Sequence, residues 1–394
     1  MASGASGFRA PPPLSLYVHI PWCVRKCPYC DFNSHALRGR LPEEEYIAAL
    51  IADLETALPL VRGRRVVSIF FGGGTPSLLS AAGIDTLLTA FRARLPLACD
   101  AEITLEANPG AVEAGKFAAF RDAGVNRLSL GAQSFDPDHL QALGRIHDAD
   151  RARHAAALAA AHFGNFNLDL MYGLPGQSVA RALADLEQAL AFAPSHLSCY
   201  QLAIEPNTAF AAAPPALPDH DRRADMQEAI EARLGEAGFI HYETSAFARP
   251  GRQCRHNCNY WTFGDYLGIG AGAHGKLTRP AGSAWEVRRQ MRWKQPKRYL
   301  TGAVGGEPLQ EEFSVDAGDL PFEFMMNALR LNEGFDAALF EARTALPLTV
   351  VESILRRAEN EGLLVRDAGR IAPTQRGQRF LNRLLEMFLP PPRP

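Results

Sequence analysis

The amino-acid sequence predicts an α/β fold with a parallel sheet, followed by a smaller helical domain. Between residues 14 and 210, short apolar runs rich in β-branched and aromatic residues alternate with alanine-rich helical stretches, a pattern typical of repeated β-α units. The chain has 394 residues, which exceeds the usual size of one hydrophobic core and favours a second domain. Six β-α units suit either an open doubly wound sheet or a partial barrel, and both place function at the carboxyl ends of the strands.

Each predicted strand is followed by turn residues and then by a helix. The six strands are predicted at residues 15–20, 66–71, 101–107, 126–132, 166–172 and 196–204. A break rich in Ala and Pro at residues 211–221 ends this core, and residues 211–300 are predicted to extend it. Within the extension, residues 254–275 are dense in His, aromatic residues and Gly, which indicates an irregular site region.

The two ends of the chain differ in character from the core. Residues 301–389 are predicted to form a helical domain in which a helix, a short hairpin (GLLV, RIAP) and a second helix give a winged-helix-like pattern. Residues 1–13 are rich in Gly, Ala, Ser and Pro, so we expect a disordered N-terminus. Residues 390–394 form a Pro-rich tail.

Composition and charge argue against several classes of function. The net charge of −2 gives no electrostatic footprint for nucleic acid, and a charge run on a winged-helix-like segment is usually a solvated face, so we expect no nucleic-acid partner. No apolar run is long enough to span a bilayer, and the N-terminal segment lacks the apolar core of a signal peptide. The sequence therefore predicts a cytoplasmic protein, whose seven cysteines favour metal or catalytic chemistry over disulfides.

Three cysteines follow the first predicted strand in CxxxCxxC spacing. Cys23, Cys27 and Cys30 match an iron-sulfur loop, because three thiolates leave one iron of a cubane cluster without a protein ligand. An open coordination position is the mark of a catalytic metal site rather than a structural one. The alternative is a zinc site, although structural zinc usually shows paired CxxC knuckles; its additional ligands would come from His19, His35, Cys254 or Cys258.

A glycine-rich turn and several polar residues follow the later strands. Glycines after a strand allow close backbone approach, but alone they are more typical of a phosphate loop or a plain turn, and here the Walker lysine and the Rossmann spacing are missing. A carboxylate accepts from ribose hydroxyls or an ammonium group, and Arg pairs with a carboxylate as a fork. The polar residues are Glu106, Gln133, Arg145 and Asp169. For any one of them in isolation, the alternative interpretation is a salt bridge at the rim of the fold.

The cysteine spacing, with Tyr29 before the last cysteine, resembles the radical S-adenosylmethionine (SAM) superfamily. This resemblance implies a partial (β/α)6 barrel and a 4Fe-4S cluster whose open iron is chelated by SAM, which a reduced cluster cleaves to methionine and a 5′-deoxyadenosyl radical. By position, the residues implied to bind SAM match those of the oxygen-independent coproporphyrinogen III oxidase group over roughly Leu14 to Phe388. They are Tyr17, Tyr29, Gly72, Gly73, Gly74, Thr75, Glu106, Gln133, Arg145 and Asp169.

Within that superfamily two functional classes compete. The oxidase group carries a further cysteine two places after the third, where this chain has Phe32, and a longer N-terminal segment. The stretches HIPWCVRKCPYCDFNSH, YQLAIEPNT and QCRHNCNYWTFGDYLGIGAGAHG instead resemble the haem chaperones related to these oxidases. Their HNxxYW element corresponds to His256, Asn257, Tyr260 and Trp261, which offer an imidazole ligand and flat apolar faces to haem.

The resemblance to the haem chaperones implies a function as a haem carrier. A core barrel over residues 14–210 and a HemN-like C-terminal domain over residues 301–389 would bind a 4Fe-4S cluster, SAM and haem, and pass haem to acceptor haem proteins. It also implies peripheral membrane contact and leaves homodimerisation open. Three alternative functions remain at this point: the oxidase activity, a packed aromatic patch in place of a haem site, and another radical SAM enzyme such as a methyltransferase. If haem binds but His256 is not its ligand, Cys254 or Cys258 could supply a thiolate ligand instead.

Overall fold

A computed structural model of the protein describes residues 10–111, 116–281 and 284–390, so most of the predicted disordered N-terminus and the end of the Pro-rich tail lie outside the described residues. One large mixed sheet dominates the fold. The strands are β1 (Leu14–Ile20), β2 (Trp22–Cys23), β3 (His35–Ala36), β4 (Val66–Gly73), β5 (Leu97–Ala107), β6 (Arg127–Gln133), β7 (Phe166–Tyr172), β8 (His196–Gln201), β9 (Ile240–Glu243), β10 (Ala246–Ala248), β11 (Asp265–Ile269), β12 (His274–Ala281), β13 (Ala284–Arg292), β14 (Leu309–Ser314), β15 (Phe335–Asp336), β16 (Leu364–Asp367) and β17 (Arg370–Pro373).

Helices alternate with the strands of the core and then make up most of the C-terminal region. They are α1 (Glu43–Val61), α2 (Ala81–Arg94), α3 (Lys116–Ala123), α4 (Pro137–Ala142), α5 (Ala149–His162), α6 (Val179–Ala191), α7 (Ala209–Ala212), α8 (His220–Glu236), α9 (Arg255–Trp261), α10 (Pro296–Val304), α11 (Leu320–Ala328), α12 (Ala337–Thr344), α13 (Glu352–Asn360), α14 (Gln375–Arg379) and α15 (Leu381–Glu386). Side-chain oxygens of Ser80, Asp148 and Ser178 accept backbone N–H groups at the starts of α2, α5 and α6, which fixes where these core helices begin.

Six parallel strands form the centre of the large sheet, in the order β1-β4-β5-β6-β7-β8. The predicted α/β fold with six β-α units is therefore confirmed. Strand β5 begins at residue 97 rather than 101, because its first four residues are partly or fully exposed and lie outside the buried run that predicted the strand. Strand β8 ends at residue 201 rather than 204. The buried Leu202 that follows it lies in a loop, where its N–H donates to Tyr172 O at 2.9 Å.

The sheet curls round a central cavity. Phe70 of β4, Glu106 of β5, Ser129 of β6, Asp169 of β7 and Ser198 of β8 all line this one cavity. Side chains from successive strands converge in this way only when the strands bend round a common axis, as in a partial barrel. The curvature brings the carboxyl ends of the parallel strands together at the mouth.

The segment after residue 211 extends the same sheet at both edges. Strands β10 and β9 continue the β8 edge in antiparallel pairing. At the other edge β11 pairs parallel to β1, and β12, β13 and β14 follow as antiparallel neighbours. The predicted boundary between residues 300 and 301 falls inside α10, which packs against α1 of the core.

The C-terminal region has its own hydrophobic core. Helices α11 to α15 surround a small sheet of order β15-β17-β16, and Phe324, Phe340 and Leu355 are fully buried between them. The hairpin β16–β17 follows α13, as the winged-helix-like pattern predicts. Phe263 and Val287 of the extension belong to the same core, so this region packs directly on the edge of the large sheet. Among the residues described, none of the helices combines the length and the apolar character that a bilayer crossing requires.

A buried carboxylate ties the core to its extension. Asp53 of α1 accepts a hydrogen bond from Tyr299 O–H at 2.9 Å, another from Gly270 N–H at 3.1 Å, and forms an ion pair with Arg292 at 3.2 Å. The side chains of Asp53 and Arg292 are at most 1% exposed. A buried pair of this kind is costly to break because the remaining charge has no water to solvate it.

We expect the substitution Asp53→Ala to lower the free energy of unfolding by about 3–5 kcal/mol, because Arg292 would keep a buried charge without its carboxylate. Urea unfolding of both proteins measures the difference. The matched control is Asp85→Ala, at an exposed position of α2, with an expected change below about 0.5 kcal/mol. Equal losses in the two variants would show that Asp53 does not join the two parts of the fold.

Candidate functional site

The cysteine loop lies at the mouth of the barrel, between β1 and α1. Cys23 ends β2, which pairs with β3 on the far side of the loop, and Cys23 O accepts the N–H of Leu37 at 2.8 Å. Cys30 N–H bonds to Cys27 O at 3.2 Å in a tight turn. All three cysteines are half-buried and form no disulfide, and their role as metal ligands stays a prediction. Burial raises the pKa of the Cys23 thiol, while the Thr75 hydroxyl, 3.5 Å from its Sγ, opposes that shift.

A half-buried arginine faces the loop from the segment between α4 and α5. Arg145 Nη1 lies 3.5 Å from Cys27 Sγ and 3.3 Å from Tyr29 Oη, and Nη2 donates to Gly131 O at 2.8 Å. Its Nε is buried, and the described residues give it no hydrogen-bond partner. The guanidinium therefore places a fixed positive charge and a spare donor beside the cysteines.

The glycine-rich turn after β4 packs against the chain that enters the cysteine loop. Gly74 N–H donates to Ile20 O at 2.7 Å, and Thr75 N–H donates to Trp22 O at 2.8 Å. A Cβ on Gly74 would lie 2.5 Å from Trp22 O, so only glycine allows this approach. Gly73 has φ of 113°, and its N–H donates to Glu106 at 3.2 Å. The amides of Gly74 and Thr75 therefore hold the chain that enters the cysteine loop, a role that the spacing of the residues does not predict.

Gly72 and the first strand complete this wall. A Cβ on Gly72 would lie 2.8 Å from the Phe70 ring and 3.1 Å from the Tyr17 ring. Tyr17 Oη lies 2.8 Å from His19 Nδ1, and His19 Nε2 lies 2.9 Å from Asn33 O. Both ring nitrogens of His19 are thus engaged away from the cysteines, which argues against this histidine as a zinc ligand.

Two carboxyl groups face the barrel cavity, one from β5 and one from β7, on either side of β6. Burial and the nearby charge of Asp169 raise the pKa of Glu106 to about 8, and the Gly73 N–H opposes the shift. Burial also raises the pKa of Asp169, which accepts from Asn167 Nδ2 at 2.7 Å. Gln133 lies close by with φ of 68°, at an irregularity in the β6–β7 pairing. These polar groups converge as the sequence predicts.

We expect the stability of the wild type to depend on Glu106 between about pH 4.5 and pH 8. The pKa of Glu106 is about 8 in the folded chain against an ordinary 4.5, so folding favours the protonated acid, and stability is lost as pH rises through this window. The Glu106→Gln side chain cannot ionise, so the variant should not lose this stability. The difference in free energy of unfolding, variant minus wild type, should therefore increase as the pH rises from about 4.5 to 8. Urea unfolding at pH 5, 6.5 and 8 tests this, with the exposed Glu44→Gln as control. A difference that does not change with pH would contradict the assignment.

Three adjoining cavities meet at the mouth of the barrel. The smallest, about 160 Å³, contains the three cysteines, the glycine turn and Arg145. The barrel cavity has about 370 Å³ and a third, between β1 and the β11–β13 edge, has about 760 Å³. Glu106 and Phe32 line all three. Phe32 is 63% exposed, which leaves a large apolar ring uncovered where the cavities join.

Helix α9 carries the HNxxYW residues and divides them between two cavities. His256 stacks on Phe70 with 4.0 Å between ring centroids, and its ring nitrogens lie 3.2 Å from Cys254 Sγ and 3.4 Å from Glu102. Burial lowers the pKa of His256. His256 and Asn257 line the barrel cavity. The imidazole is therefore fixed from several sides.

The aromatic half of the motif faces the largest cavity. Tyr260 and Trp261 line it together with Tyr17 and Tyr266, and the Tyr260 and Tyr266 rings lie 4.8 Å apart. Trp261 stacks under Arg330, while its indole Nε1 is buried with no partner among the described residues. The wall of this cavity thus presents flat aromatic surface.

Several polar residues of these cavities belong to no motif of the sequence. Arg127, buried, lines the barrel cavity beside Glu102, with 4.0 Å between the charged groups. His274, Arg289 and Lys294 line the largest cavity. His274 lies in a segment noted for its Gly and His content, but nothing in the spacing indicates which cavity it faces.

The comparisons with known proteins cover nearly the whole chain. The family model for the radical SAM superfamily matches residues 17–189, and that for the HemN C-terminal domain matches residues 315–380. Heme chaperone HemW of Escherichia coli is 52% identical over 379 residues, which is 96% of this chain and 98% of that protein. Heme chaperone HemW of Mycobacterium tuberculosis is 36% identical over 387 residues, which is 96% of this chain and 95% of that protein.

One solved structure resembles the whole fold. Coproporphyrinogen III oxidase (HemN) from Escherichia coli, described as a radical SAM enzyme, superposes with a TM-score of 0.81 at 26% identity. The match covers 98% of this chain and 92% of that one. The barrel, its extension and the C-terminal domain therefore share one scaffold with a porphyrin-related enzyme.

Proposed function

Since this chain belongs to the HemW haem chaperone family of the radical SAM superfamily, we propose that it binds haem beside a SAM-ligated 4Fe-4S cluster and delivers that haem to acceptor proteins. The observation that carries the proposal is the cavity of about 760 Å³, which adjoins the cysteine loop and has an aromatic wall from HNxxYW. Its volume lies in the range of cavities that hold drug-sized and cofactor-sized ligands.

The residues of the cysteine loop fit an iron-sulfur cluster. Cys23, Cys27 and Cys30 would each hold one iron, and Thr75 and Arg145 would donate hydrogen bonds to their sulfurs from their present positions 3.5 Å away. When bound, the cluster supplies an electron at its open iron. The protein positions the loop through the Gly74 and Thr75 amides and shields it with the barrel wall.

The residues around the loop also suit SAM. Arg145 has a spare buried donor for a carboxylate, and Glu106 and Asp169 offer acceptors for an ammonium group or ribose hydroxyls. A cationic ligand would favour the ionised form of Glu106 and so lower its raised pKa. Tyr29 and Gln133 line the same cavities, in keeping with the SAM-binding roles that the family resemblance implies.

For haem, the HNxxYW residues provide the wall rather than an open ligand. Tyr260 and Trp261 offer flat apolar faces to a macrocycle. His256 lies behind the Phe70 ring, in the barrel cavity, and the prediction that it ligates haem iron stays a prediction. The proposal also includes peripheral contact with a membrane surface, which the family resemblance implies, whereas that resemblance leaves homodimerisation open.

The competing function is coproporphyrinogen III oxidase. The shared scaffold with that enzyme is at 26% identity, whereas the haem chaperones reach 52%, and Phe32 occupies the position of the oxidase group's further cysteine. The test is to incubate the reconstituted protein anaerobically with reductant and SAM, once with haem and once with coproporphyrinogen III. We expect a stable haem complex and no protoporphyrinogen IX. Turnover of coproporphyrinogen III without haem binding would replace this proposal by the oxidase function.

A further inference from the structure

A histidine that HNxxYW does not include lies on the wall of the largest cavity. His274 begins β12, and its side chain is exposed there with no hydrogen-bond partner within the described parts of the chain. Two other histidines line the same cavity: His19 has both ring nitrogens engaged, and His35 Nε2 is buried. Of the three, His274 presents the accessible imidazole.

The backbone before His274 is fixed by an unusually dense set of contacts. Gly270 has φ of 104°, its N–H bonds to Asp53 at 3.1 Å, and a Cβ there would lie 2.3 Å from His19 O. The N–H of Ala271 bonds to Tyr46 Oη at 2.9 Å, and the N–H of Gly272 to Trp293 O at 2.9 Å. The turn at residues 270–274 (GAGAH) thus fixes the backbone from which His274 projects, and a fixed backbone position favours metal ligation by its side chain.

Charge around His274 suits a neutral imidazole beside an anionic ligand. Partial desolvation by the cavity wall, then the positive charges of Lys294 and Arg289, lower the pKa of His274, which keeps the ring in its ligating form at neutral pH. Arg289 also bonds to Tyr266 Oη at 2.9 Å and pairs with Glu323, which orients its guanidinium at the cavity wall. Four cationic side chains line this cavity against two acidic ones.

We propose that His274 ligates the iron of the haem held in this cavity and that Arg289 and Lys294 pair with its propionates. The inference rests on the proposed function and adds to it a ligand and an orientation. In this arrangement the macrocycle lies against Tyr260 and Trp261, and its carboxylates point toward the cationic β13 edge. The imidazole comes from the GAGAH turn and not from HNxxYW.

The test is haem titration of the purified full-length protein, followed by absorption and electron paramagnetic resonance spectroscopy. We expect His274→Ala to shift the Soret band, to lose the signal of the imidazole-ligated iron and to weaken haem binding about tenfold or more, with bound iron-sulfur cluster unchanged. Added free imidazole should restore the wild-type spectrum, which a folding defect would not allow. The matched control is His154→Ala, at an exposed position of α5.

A second arm tests the propionates with haem dimethyl ester, which keeps the ring and the iron but lacks the carboxylates. We expect the wild type to bind the ester more weakly than haem, and Lys294→Gln to show a smaller difference between the two, because Arg289 still pairs with haem. The inference would be overturned if His274→Ala kept the wild-type haem spectrum, or if only His256→Ala lost the signal of the imidazole-ligated iron. Either result would leave the proposed haem carrier function in place. A wild type that binds no haem would overturn both.

Discussion

Replacing Cys23, Cys27 or Cys30 with Ala should reduce the iron bound by the anaerobically reconstituted protein from about four atoms per chain to almost none. Each thiolate would hold its own iron, and the loop between β2 and β3 has no other cysteine to take its place. Iron, acid-labile sulfide and the visible absorption of the cluster are measured together. The matched control is Cys99→Ala, an exposed cysteine of β5, which should retain the full cluster.

The opposite result would be informative about the metal. Stoichiometric zinc with no iron in the wild type would contradict the iron-sulfur assignment and restore the zinc alternative. His19 would not then be a ready fourth ligand, because Tyr17 and the Asn33 carbonyl occupy its ring nitrogens. A full cluster in all three variants would show that other residues hold the metal.

Replacing Arg145 with Met should abolish most of the response of the reduced cluster to SAM. The change removes the half-buried guanidinium at 3.5 Å from Cys27 Sγ and with it the donors for the SAM carboxylate. A charge-assisted hydrogen bond contributes about 1.5–3 kcal/mol, so we expect SAM affinity to fall by about 10- to 100-fold. The electron paramagnetic resonance spectrum is recorded against SAM concentration.

Two controls separate binding from assembly in this experiment. Arg121→Met, at an exposed position of α3, should leave the SAM response unchanged, and bound iron should remain near the wild-type level in both variants. Arg145→Lys keeps the charge but loses the fork, so an intermediate response is expected. A wild-type response in Arg145→Met would remove this residue from the SAM site.

The core of the fold follows from local patterns, whereas its edges do not. Each of the six parallel strands is an apolar run that the sequence displays directly, such as the buried Leu16 and Leu168 with their neighbours. Strand β11 is different: its residues lie in a Gly-rich and aromatic segment, and it is a strand because Leu267 packs into the register opposite Leu16. Such pairing between residues about 250 positions apart leaves no local signal.

The site shows the same division. The cysteines and the polar residues at strand ends could be found by spacing and by resemblance, because parallel strands bring their carboxyl ends together. The roles of Gly74 and His274 depend on which segment lies opposite: Trp22 O for the first, and the cavity beside β13 for the second. For HNxxYW, only the position of Phe70, between the two cavities, reveals that His256 and Tyr260 face different spaces.

The proposed function is to bind haem and transfer it to acceptor haem proteins, and a haem-transfer experiment tests this function most directly. The haem-loaded protein is mixed with the apo form of a b-type haem protein, and the absorption spectrum of the acceptor is followed with time. We predict that the acceptor gains haem at a rate that rises with acceptor concentration, because the two proteins must meet. Transfer that never exceeds the rate of spontaneous haem dissociation, at any acceptor concentration, would contradict the account.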